Sequence, residues 1–444
     1  MSDSLSIEGR RPKSGHGAPA ADSRSPEGGY QAVHKSIQAR GVRIIDFWFT
    51  ELSGRPWRLS MSADALTPAI FTNGIVVDGR QVGGSWEGLI AIIPDAAAAF
   101  GDPTTTTPTL SILCDIVRVS REAYPEDTRT VLRRAEAHFK TVQPGAVWGV
   151  GAEVEFFILD AAGEPARDGE VREVLRDIWA ALNAADILVD WFRIGPAKGQ
   201  GRVQMRASEA MATADRIVIY KNVVRSAAAK HGRTVRFLPK PTAGEGAAAM
   251  LVHHSIWRDG QNLFYDQDGW AHTSALCRWY AGGLLLHAPA LLAFCAPTMN
   301  SYRRLISGMG PTRRILSTTR ADAACRVPAG TTGPSPEGRR VKFCCADPTA
   351  NPYLALSAML MAGLDGIARR LEPDIDPADL GKDVPQSLEA ALEALAADRG
   401  FLTAGGVFTD ELIDGWIANR WREQVVPVRS VPHPVELRLD AHVG

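Results

Sequence analysis

Cysteine, long apolar runs and net charge are all scarce in this sequence. The 444 residues include six cysteines, too few for a disulfide framework, and their positions lack the spacing of a metal site. No apolar run reaches the length of a membrane span, because the longest contains His287 and two prolines. A formal net charge of −1 creates no field that would attract nucleic acid or an anionic membrane. We therefore expect neither kind of partner.

The N-terminal region also lacks the apolar segment of an export signal, so we expect a cytoplasmic protein. Residues 1–28 are rich in Ser, Gly, Pro and Arg and nearly free of large apolar side chains. Such a segment cannot bury enough surface to offset its ordering entropy, and we predict a disordered tail. The whole chain is 45% hydrophobic and 22% charged, as in a typical soluble globular protein.

The remaining residues divide into two parts by their pattern. Residues 29–120 contain a short helix and several strand-like runs, which predict a small domain rich in β-structure. Residues 121–444 alternate helical and strand patterns, and they include apolar segments at 272–294 and 351–371 that each predict one long buried helix. The fold class expected from these patterns is α+β.

Two glutamates stand close together in the strand-like run "GAEVEFFILD", residues 151–160. Side chains alternate across a strand, so Glu153 and Glu155 share one face. Two neighbouring carboxylates repel each other and are costly to desolvate unless a cation lies between them. The cation is either a metal ion or a basic side chain of the chain itself.

Other polar motifs are weak when each is taken alone. The run "MLVHHSIW" places His253 and Ser255 on one strand face, but a buried histidine satisfied by its neighbours is the simpler interpretation. The short polar segment "NSYRRL" follows a buried helix, and Arg304 within it could bind a carboxylate or phosphate. The alternative is a helix end whose charged side chains are solvated.

Taken together, these motifs occur in an order and at spacings that resemble the glutamine synthetase family. They are "GAEVEFF", "GPAKGQ", "ADRIVIYKNVVR", "KHGRTVRFLPKP", "VHHSIW", "PTMNSYRRL" and "RRVKFCCADPTANPYLALSAMLMAGLDGI". The resemblance extends from about residue 30 to near the end. It implies a β-grasp-like N-terminal domain and a large catalytic domain with an antiparallel barrel-like sheet and surrounding helices. It also implies a homo-oligomeric ring, or stacked rings, with sites between neighbouring subunits.

The family uses ATP to phosphorylate the γ-carboxylate of glutamate and then joins it to ammonia or another amine. Two Mg²⁺ or Mn²⁺ ions neutralise the phosphates, and phosphoryl transfer depends on such charge neutralisation. The family's ion ligands are five glutamates and one histidine. Glu153 and Glu155 match two of them, and the other four positions align with Ile194, Arg202, Leu251 and Lys342.

Two of the substituted ligand positions have become cationic. We predict that Arg202 and Lys342 reach the same cavity as Glu153 and Glu155 and replace the metal ions, so that no metal is expected. The alternative is a decayed cavity in which these charges point to solvent.

The resemblance assigns further roles residue by residue. Asp78, which would deprotonate an incoming ammonium across a subunit boundary, is expected to be catalytic together with Glu153, Glu155 and Arg304. The expected substrate-binding residues are Arg202, Arg304, Arg326 and Lys342, and the expected nucleotide-binding residues, if a nucleotide site is retained, are His253, Ser255 and Arg340. The sequence departs from the family pattern at Gln81, Ala247, Ala249, Gly310 and Cys344.

Three functions remain open from the sequence. The first is a repurposed enzyme for carbon–nitrogen chemistry on a small substrate, amino-acid-like or anionic, with His253 or Glu155 as general base and without the two-metal site. The second is a catalytically inactive family member with a structural or regulatory role. The third is an ATP-dependent γ-glutamyl ligase, and ATP and Mg²⁺ are expected as cofactors only if that family activity persists.

Overall fold

The N-terminal part of the chain forms a five-stranded sheet. The structure is a computed structural model that describes residues 25–82, 86–242, 244, 246–328, 335–377, 382–433 and 435. The strands are β1 (Ile44–Thr50), β2 (Pro56–Ser62), β3 (Ile75–Asp78), β4 (Leu89–Gly101) and β5 (Thr109–Arg118). Their order is β2-β1-β5-β4-β3, and β1 and β5 are the parallel pair in this otherwise antiparallel sheet.

Two helices accompany this sheet, α1 (Pro26–Arg40) and α2 (Pro68–Asn73). Helix α1 begins at Pro26, inside the predicted tail, whose residues 1–24 lie outside the described part of the chain. The earlier start has a local cause, because Ser25 Oγ accepts a hydrogen bond from Gly28 N at 3.0 Å and proline is favoured in a first helical turn.

The second sheet has nine strands and carries the candidate site. These are β6 (Ala146–Leu159), β7 (Val189–Ile194), β8 (Gln200–Glu209), β9 (Thr234–Arg236), β10 (Met250–Arg258), β11 (Gln261–Asn262), β12 (Arg313–Ser317), β13 (Ala323–Arg326) and β14 (Val341–Phe343). The main path is β12-β13-β14-β10-β6-β8-β7, with β9 beside β6 and β11 beside β10. All pairs are antiparallel except β12 with β13.

Helices pack around the second sheet. They are α3 (Thr128–Val142), α4 (Asp168–Ala184), α5 (Ala210–Lys230), α6 (Ala275–Leu286), α7 (Ala288–Cys295), α8 (Met299–Arg304), α9 (Pro352–Arg369), α10 (Leu388–Ala397), α11 (Gly400–Thr403), α12 (Asp410–Arg420) and α13 (Val426–Arg429). The apolar length of α9 is buried along almost its whole course, in agreement with the helix predicted over 351–371.

The prediction of one helix over 272–294 is wrong. The segment is divided at His287, whose backbone angles (φ −87°, ψ 1°) end α6 before α7 begins. Pro289 lies in the first turn of α7, where its missing N–H costs nothing, whereas inside a continuous helix it would remove a hydrogen bond.

The two sheets share one core. Trp48, Phe100 and Leu113 from the first sheet are buried and belong to the same apolar cluster as the interior of the second. The opposite face of the first sheet packs on its own smaller cluster, which includes Val33 of α1 and Phe71 of α2. The first sheet is therefore held in place against the large one by apolar contact.

At the break between α6 and α7, His287 is 3% exposed and lies between two carboxylates. Its Nδ1 is 2.7 Å from Asp398 Oδ2, and its Nε2 is 2.9 Å from Asp365 Oδ2. Burial lowers the pKa of His287, but the hydrogen bonds to Asp398 and Asp365 outweigh it, and the net effect raises the pKa above its ordinary value.

A raised histidine pKa stabilises the fold below the unfolded-state value near 6.5 and loses that contribution as pH rises through the folded-state value. We expect the free energy of unfolding to fall as pH rises above about 6.5, and His287→Gln to remove part of this slope, which is at most about 1.4 kcal/mol per pH unit. Urea unfolding at several pH values measures it. His231→Gln, at the more exposed pair with Asp177, is the control for loss of a surface histidine and should cost less than about 1 kcal/mol.

Candidate functional site

Strand register places the site residues on one face of the second sheet. Leu251 on β10 lies directly opposite Glu153 on β6, and Arg202 on β8 lies opposite Glu155. Directly paired residues point to the same side of a sheet, so these four side chains share a face. The next row of the same face runs from Arg326 on β13 through Lys342 on β14 to His253 on β10.

Arg202 lies between the two glutamates. Its Nη2 is 2.7 Å from Glu153 Oε1 and 2.5 Å from Glu155 Oε1. Both carboxylates are nearly fully buried, with side-chain exposures of 2% and 6%. The approach to Glu153 Oε1 is too oblique for a hydrogen bond, so the contact is electrostatic. The predicted pairing of Arg202 with both glutamates is present in the structure.

Lys342 completes the charge cluster from the other side. Its Nζ donates to Glu153 Oε2 at 3.1 Å, and its side chain is 16% exposed. Glu153 therefore has a cation on each oxygen. The predicted pairing of Lys342 with the strand carboxylates is also present, and both substituted cations point inward, not to solvent.

The second oxygen of Glu155 is fixed by neutral donors. Oε2 accepts from Gln200 Nε2 at 3.0 Å and from the Ala249 backbone N–H at 2.9 Å. Burial raises the pKa of Glu155 despite the opposing effects of Arg202 and the Ala249 N–H. Gln200 was missed by the sequence reasoning, and its place in "GQGR", two residues before Arg202 on the same strand, is the signal that identifies it.

His253 is neutral and positioned by an arginine. Arg340 Nε donates to His253 Nδ1 at 2.8 Å, which places the ring proton on Nε2. Nε2 is buried and has no hydrogen-bond partner among the described residues. Burial, together with the charges of Lys342 and Arg340, holds the pKa of His253 well below its ordinary value.

A cavity of about 430 Å³ opens beside the charge cluster. Its charged and amide lining comprises Glu155, Gln200, Arg202, Arg304 and Arg326. This volume is within the range of small-molecule sites. The cavity therefore brings together one acidic and three basic side chains from the predicted set.

The arginines of the cavity differ in how far they are already engaged. Arg304 is 2% exposed, and its terminal nitrogens donate to the carbonyl oxygens of Cys344, Cys345 and Ala346. Arg326 Nε lies 3.1 Å from Cys344 Sγ, while its terminal nitrogens bond to no other described residue. Arg326 is thus better placed than Arg304 to bind a ligand, and the substrate role predicted for Arg304 stays a prediction.

Six predicted residues do not line the cavity within one chain: Glu153, Lys342, His253 and Arg340 belong to or adjoin the charge cluster, and Asp78 and Ser255 lie apart from it. Asp78 ends β3 in the first sheet, where its carboxylate accepts from Arg80 N at 3.1 Å. Ser255 is on the same strand face as His253, but its hydroxyl contacts Gly149 O and accepts from Trp257 Nε1. The catalytic role of Asp78, across a subunit boundary, and the nucleotide role of Ser255 stay predictions.

Comparisons with known proteins agree with the motif order and the sheet. The family description "Glutamine synthetase, catalytic domain" matches residues 164–439. Glutamine synthetase of Frankia alni is 34% identical over 466 residues, which cover 92% of this chain and 98% of its own. The chain belongs to the glutamine synthetase family. Glutamine synthetase of Rhizobium meliloti is also 34% identical, over 465 residues with the same coverage of both chains.

A solved structure shows the same fold at lower sequence identity. The cryo-EM structure of Plasmodium falciparum glutamine synthetase matches with a TM-score of 0.83 and 20% identity, covering 92% of this chain and 98% of that one. The predicted family and the predicted fold class are confirmed. The domain boundaries at residues 28 and 120 stay predictions.

The residues present do not fit the metal site that the family resemblance implies. Hard divalent cations require several oxygen ligands, and within the described ranges no group of three or more His, Cys, Asp or Glu is placed to hold one. Both glutamates that match family ligands are already contacted by Arg202, and Glu153 also by Lys342. A metal ion here would have to displace these cations.

The helices bear on one further prediction, the absence of a membrane span. In the part of the chain that the structure describes, no helix is long and apolar enough to cross a membrane. The cytoplasmic location stays a prediction.

Proposed function

We propose that this chain is a glutamine synthetase family enzyme repurposed for carbon–nitrogen chemistry on a small anionic substrate, with internal cations in place of two metal ions. The observation that carries the proposal is the contact of Arg202 with both Glu153 and Glu155 and of Lys342 with Glu153. A decayed cavity would not require two new cations at the contact distance of two retained carboxylates, since an unpaired buried charge is costly in either sign.

The charge balance of the site favours an anionic ligand. Five cationic side chains act on two carboxylates; the cations are Arg202, Arg304, Arg326, Arg340 and Lys342. The excess positive charge lies in or beside a cavity from which bulk water is partly excluded, where an opposite charge on the ligand is favoured.

Glu155 is the best-placed general base. It lines the cavity, and Arg202 and Gln200 fix its carboxylate. Its raised pKa brings it closer to neutral pH, where proton transfer is most effective. His253, the other base considered from the sequence, has its Nδ1 occupied by Arg340 and does not line the cavity.

These parts fit attack on an amide-type carbon. Glu155 would take the proton of a water or amine nucleophile, and the Arg202 guanidinium would stabilise the negative charge that develops on the substrate oxygen. Protonated Glu155 would then return that proton to the substrate nitrogen, and the carbon–nitrogen bond would break with release of an amine, leaving a carboxylic acid when water attacks and a new amide when an amine attacks. Cleavage or transfer in this direction needs no ATP, whereas condensation of a carboxylate with an amine does.

The test is turnover of the full chain in the presence of EDTA. A panel of small anionic amides is incubated with the protein, and amine release is measured. We expect release that EDTA does not reduce, and we expect Glu155→Gln to lower it by about 10²-fold or more. Glu173→Gln makes the same chemical change at an exposed position of α4 and should leave the rate unchanged.

Two results would overturn the proposal. Magnesium-dependent ADP formation with glutamate and an amine would establish the γ-glutamyl ligase; the relatives that are 34% identical are named glutamine synthetase. No turnover with the panel, together with no ligand-induced rise in melting temperature, would establish the inactive family member.

We also propose that the chain assembles as a homo-oligomeric ring, as the family resemblance implies. Asp78 lies in the first sheet, and the residues that line the cavity all come from the larger part of the chain. Only a neighbouring copy could bring that carboxylate to the site. Mass measurement in solution tests this, and a monomer would contradict it.

A further inference from the structure

One wall of the cavity is apolar. Ala249, Leu251 and Cys344 form a small buried cluster of their own, separate from the main core, and all three line the cavity. They are 7%, 5% and 1% exposed. A cluster that belongs to no larger core and faces a cavity offers its surface to a ligand.

This apolar wall contacts Arg326, one of the three arginines that line the cavity. Cys344 Sγ is 3.1 Å from Arg326 Nε, so the apolar cluster and the Arg326 guanidinium are in direct contact. The terminal nitrogens of Arg326 bond to no other described residue. A planar guanidinium with free parallel donors suits a carboxylate, which it binds with two hydrogen bonds.

The site is poorly suited to an ammonium group. Glu155 is the acidic side chain among the lining residues, and Arg202, Gln200 and the Ala249 N–H already contact its oxygens. A zwitterionic amino acid would bring a second charge into a cavity whose surplus charge is already positive. An uncharged apolar group on the ligand avoids that cost.

We infer that the cavity takes a monocarboxylate with an uncharged apolar body, with its carboxylate on Arg326 and its body against Ala249, Leu251 and Cys344. The inference rests on the proposed function only for the location of the site, and it narrows the substrate class. A substrate of this kind carries one free carboxylate for Arg326 and, as a separate group on its apolar body, the amide whose carbon would face Glu155.

The test is binding of straight-chain carboxylates, from propanoate to octanoate, to the full chain at constant ionic strength. Dissociation constants from ligand-observed NMR are expected to fall about fourfold for each added methylene until the wall is covered. Glutamate and the alcohols of matching chain length are the comparison ligands. We expect hexanoate to bind at least tenfold more tightly than either hexanol or glutamate.

Two variants test separately the contact with the ligand's carboxylate and the contact with its apolar body. Arg326→Gln should abolish the preference for hexanoate over hexanol. Leu251→Asn should flatten the dependence on chain length while carboxylate binding remains. If either variant fails to fold, the chain-length series with the unmodified protein still decides the matter.

The inference is overturned if glutamate binds more tightly than hexanoate, or if affinity does not depend on chain length. These outcomes are independent of turnover. Binding of apolar carboxylates by a protein that cleaves no amide would support the inference and reject the proposed function. Metal-independent cleavage of amino-acid amides, and of no other amides, would support the proposed function and reject the inference.

Discussion

Replacing Arg202 with methionine is expected to lower the free energy of unfolding by about 3 kcal/mol. The variant leaves Glu155 buried without a contacting cation, and breaking a buried ion pair from one side typically costs about 3–5 kcal/mol. The low end applies because Lys342 still neutralises Glu153 and because the Arg202 side chain is 18% exposed. Methionine preserves most of the volume of the arginine stem, so the loss reports the charge.

The loss should also depend on pH. Without Arg202 the pKa of Glu155, already raised by burial, rises further. A carboxyl group with a raised folded-state pKa destabilises the fold as pH rises from its unfolded-state pKa through its folded-state pKa. Over that range the unfolded chain releases a proton that the folded chain retains. Urea unfolding at pH 5 and pH 8 measures both effects, and the difference from the unmodified protein should be larger at pH 8.

A matched control lies on the same strand. Arg206 pairs with Asp190 at 2.9 Å, but both side chains are 20–25% exposed, and Arg206→Met should cost less than about 1 kcal/mol. The double variant R202M/E155Q should recover most of the loss, because it removes the unpaired carboxylate while Glu153 keeps Lys342. Equal losses for Arg202→Met and Arg206→Met would show that the cluster does not stabilise the fold.

Much of this cluster could be predicted from the sequence because strands are periodic. The spacing of Glu153 and Glu155 fixes their common face, and motifs on both sides fix the alignment of Lys342. Where two ligand positions beside buried carboxylates have become basic, the arrangement with the lowest desolvation cost is an ion pair between the carboxylates and the basic side chains. The structure contains that arrangement.

Other features depend on contacts that no local pattern encodes. The terminal nitrogens of Arg304 are bound to carbonyl oxygens of a segment forty residues away in sequence, so a motif that suggests ligand binding also serves packing. The apolar wall joins Leu251 to Cys344 across two strands. The helix division at His287 depends on Asp365 and Asp398, which approach only after the chain has folded.

A second buried charge cluster connects the two sheets, and its loss is also expected to lower the free energy of unfolding by several kcal/mol. Arg129 on α3 is 2% exposed. It donates to both oxygens of Asp215 on α5, at 3.0 and 2.8 Å, and to Asp115 and Asp95 on the first sheet, at 2.7 and 2.9 Å. Tyr353 on α9 also donates to Asp215, at 2.7 Å. One guanidinium thus connects the five-stranded sheet to helices that cover the large one.

Arg129→Met is expected to cost about 4–5 kcal/mol, at the upper end for a buried ion pair, because the variant leaves Asp215 buried and three carboxylates near one another. Arg133→Met is the matched control. Arg133 contacts Asp95 and Asp115 from the surface with 49% exposure, so its loss should cost less than about 1 kcal/mol. Urea unfolding compares the two variants.

The pH dependence of Arg129→Met distinguishes a charge effect from a packing effect. Burial alone would raise the pKa of Asp95, but Arg129 and Arg133 outweigh it and lower the pKa. A carboxyl with a lowered pKa stabilises the fold above its unfolded-state value and loses that contribution as pH falls. The unmodified protein should therefore lose stability towards pH 3 more steeply than the variant. Parallel curves would mean that Arg129 acts through its packing and not through its charge.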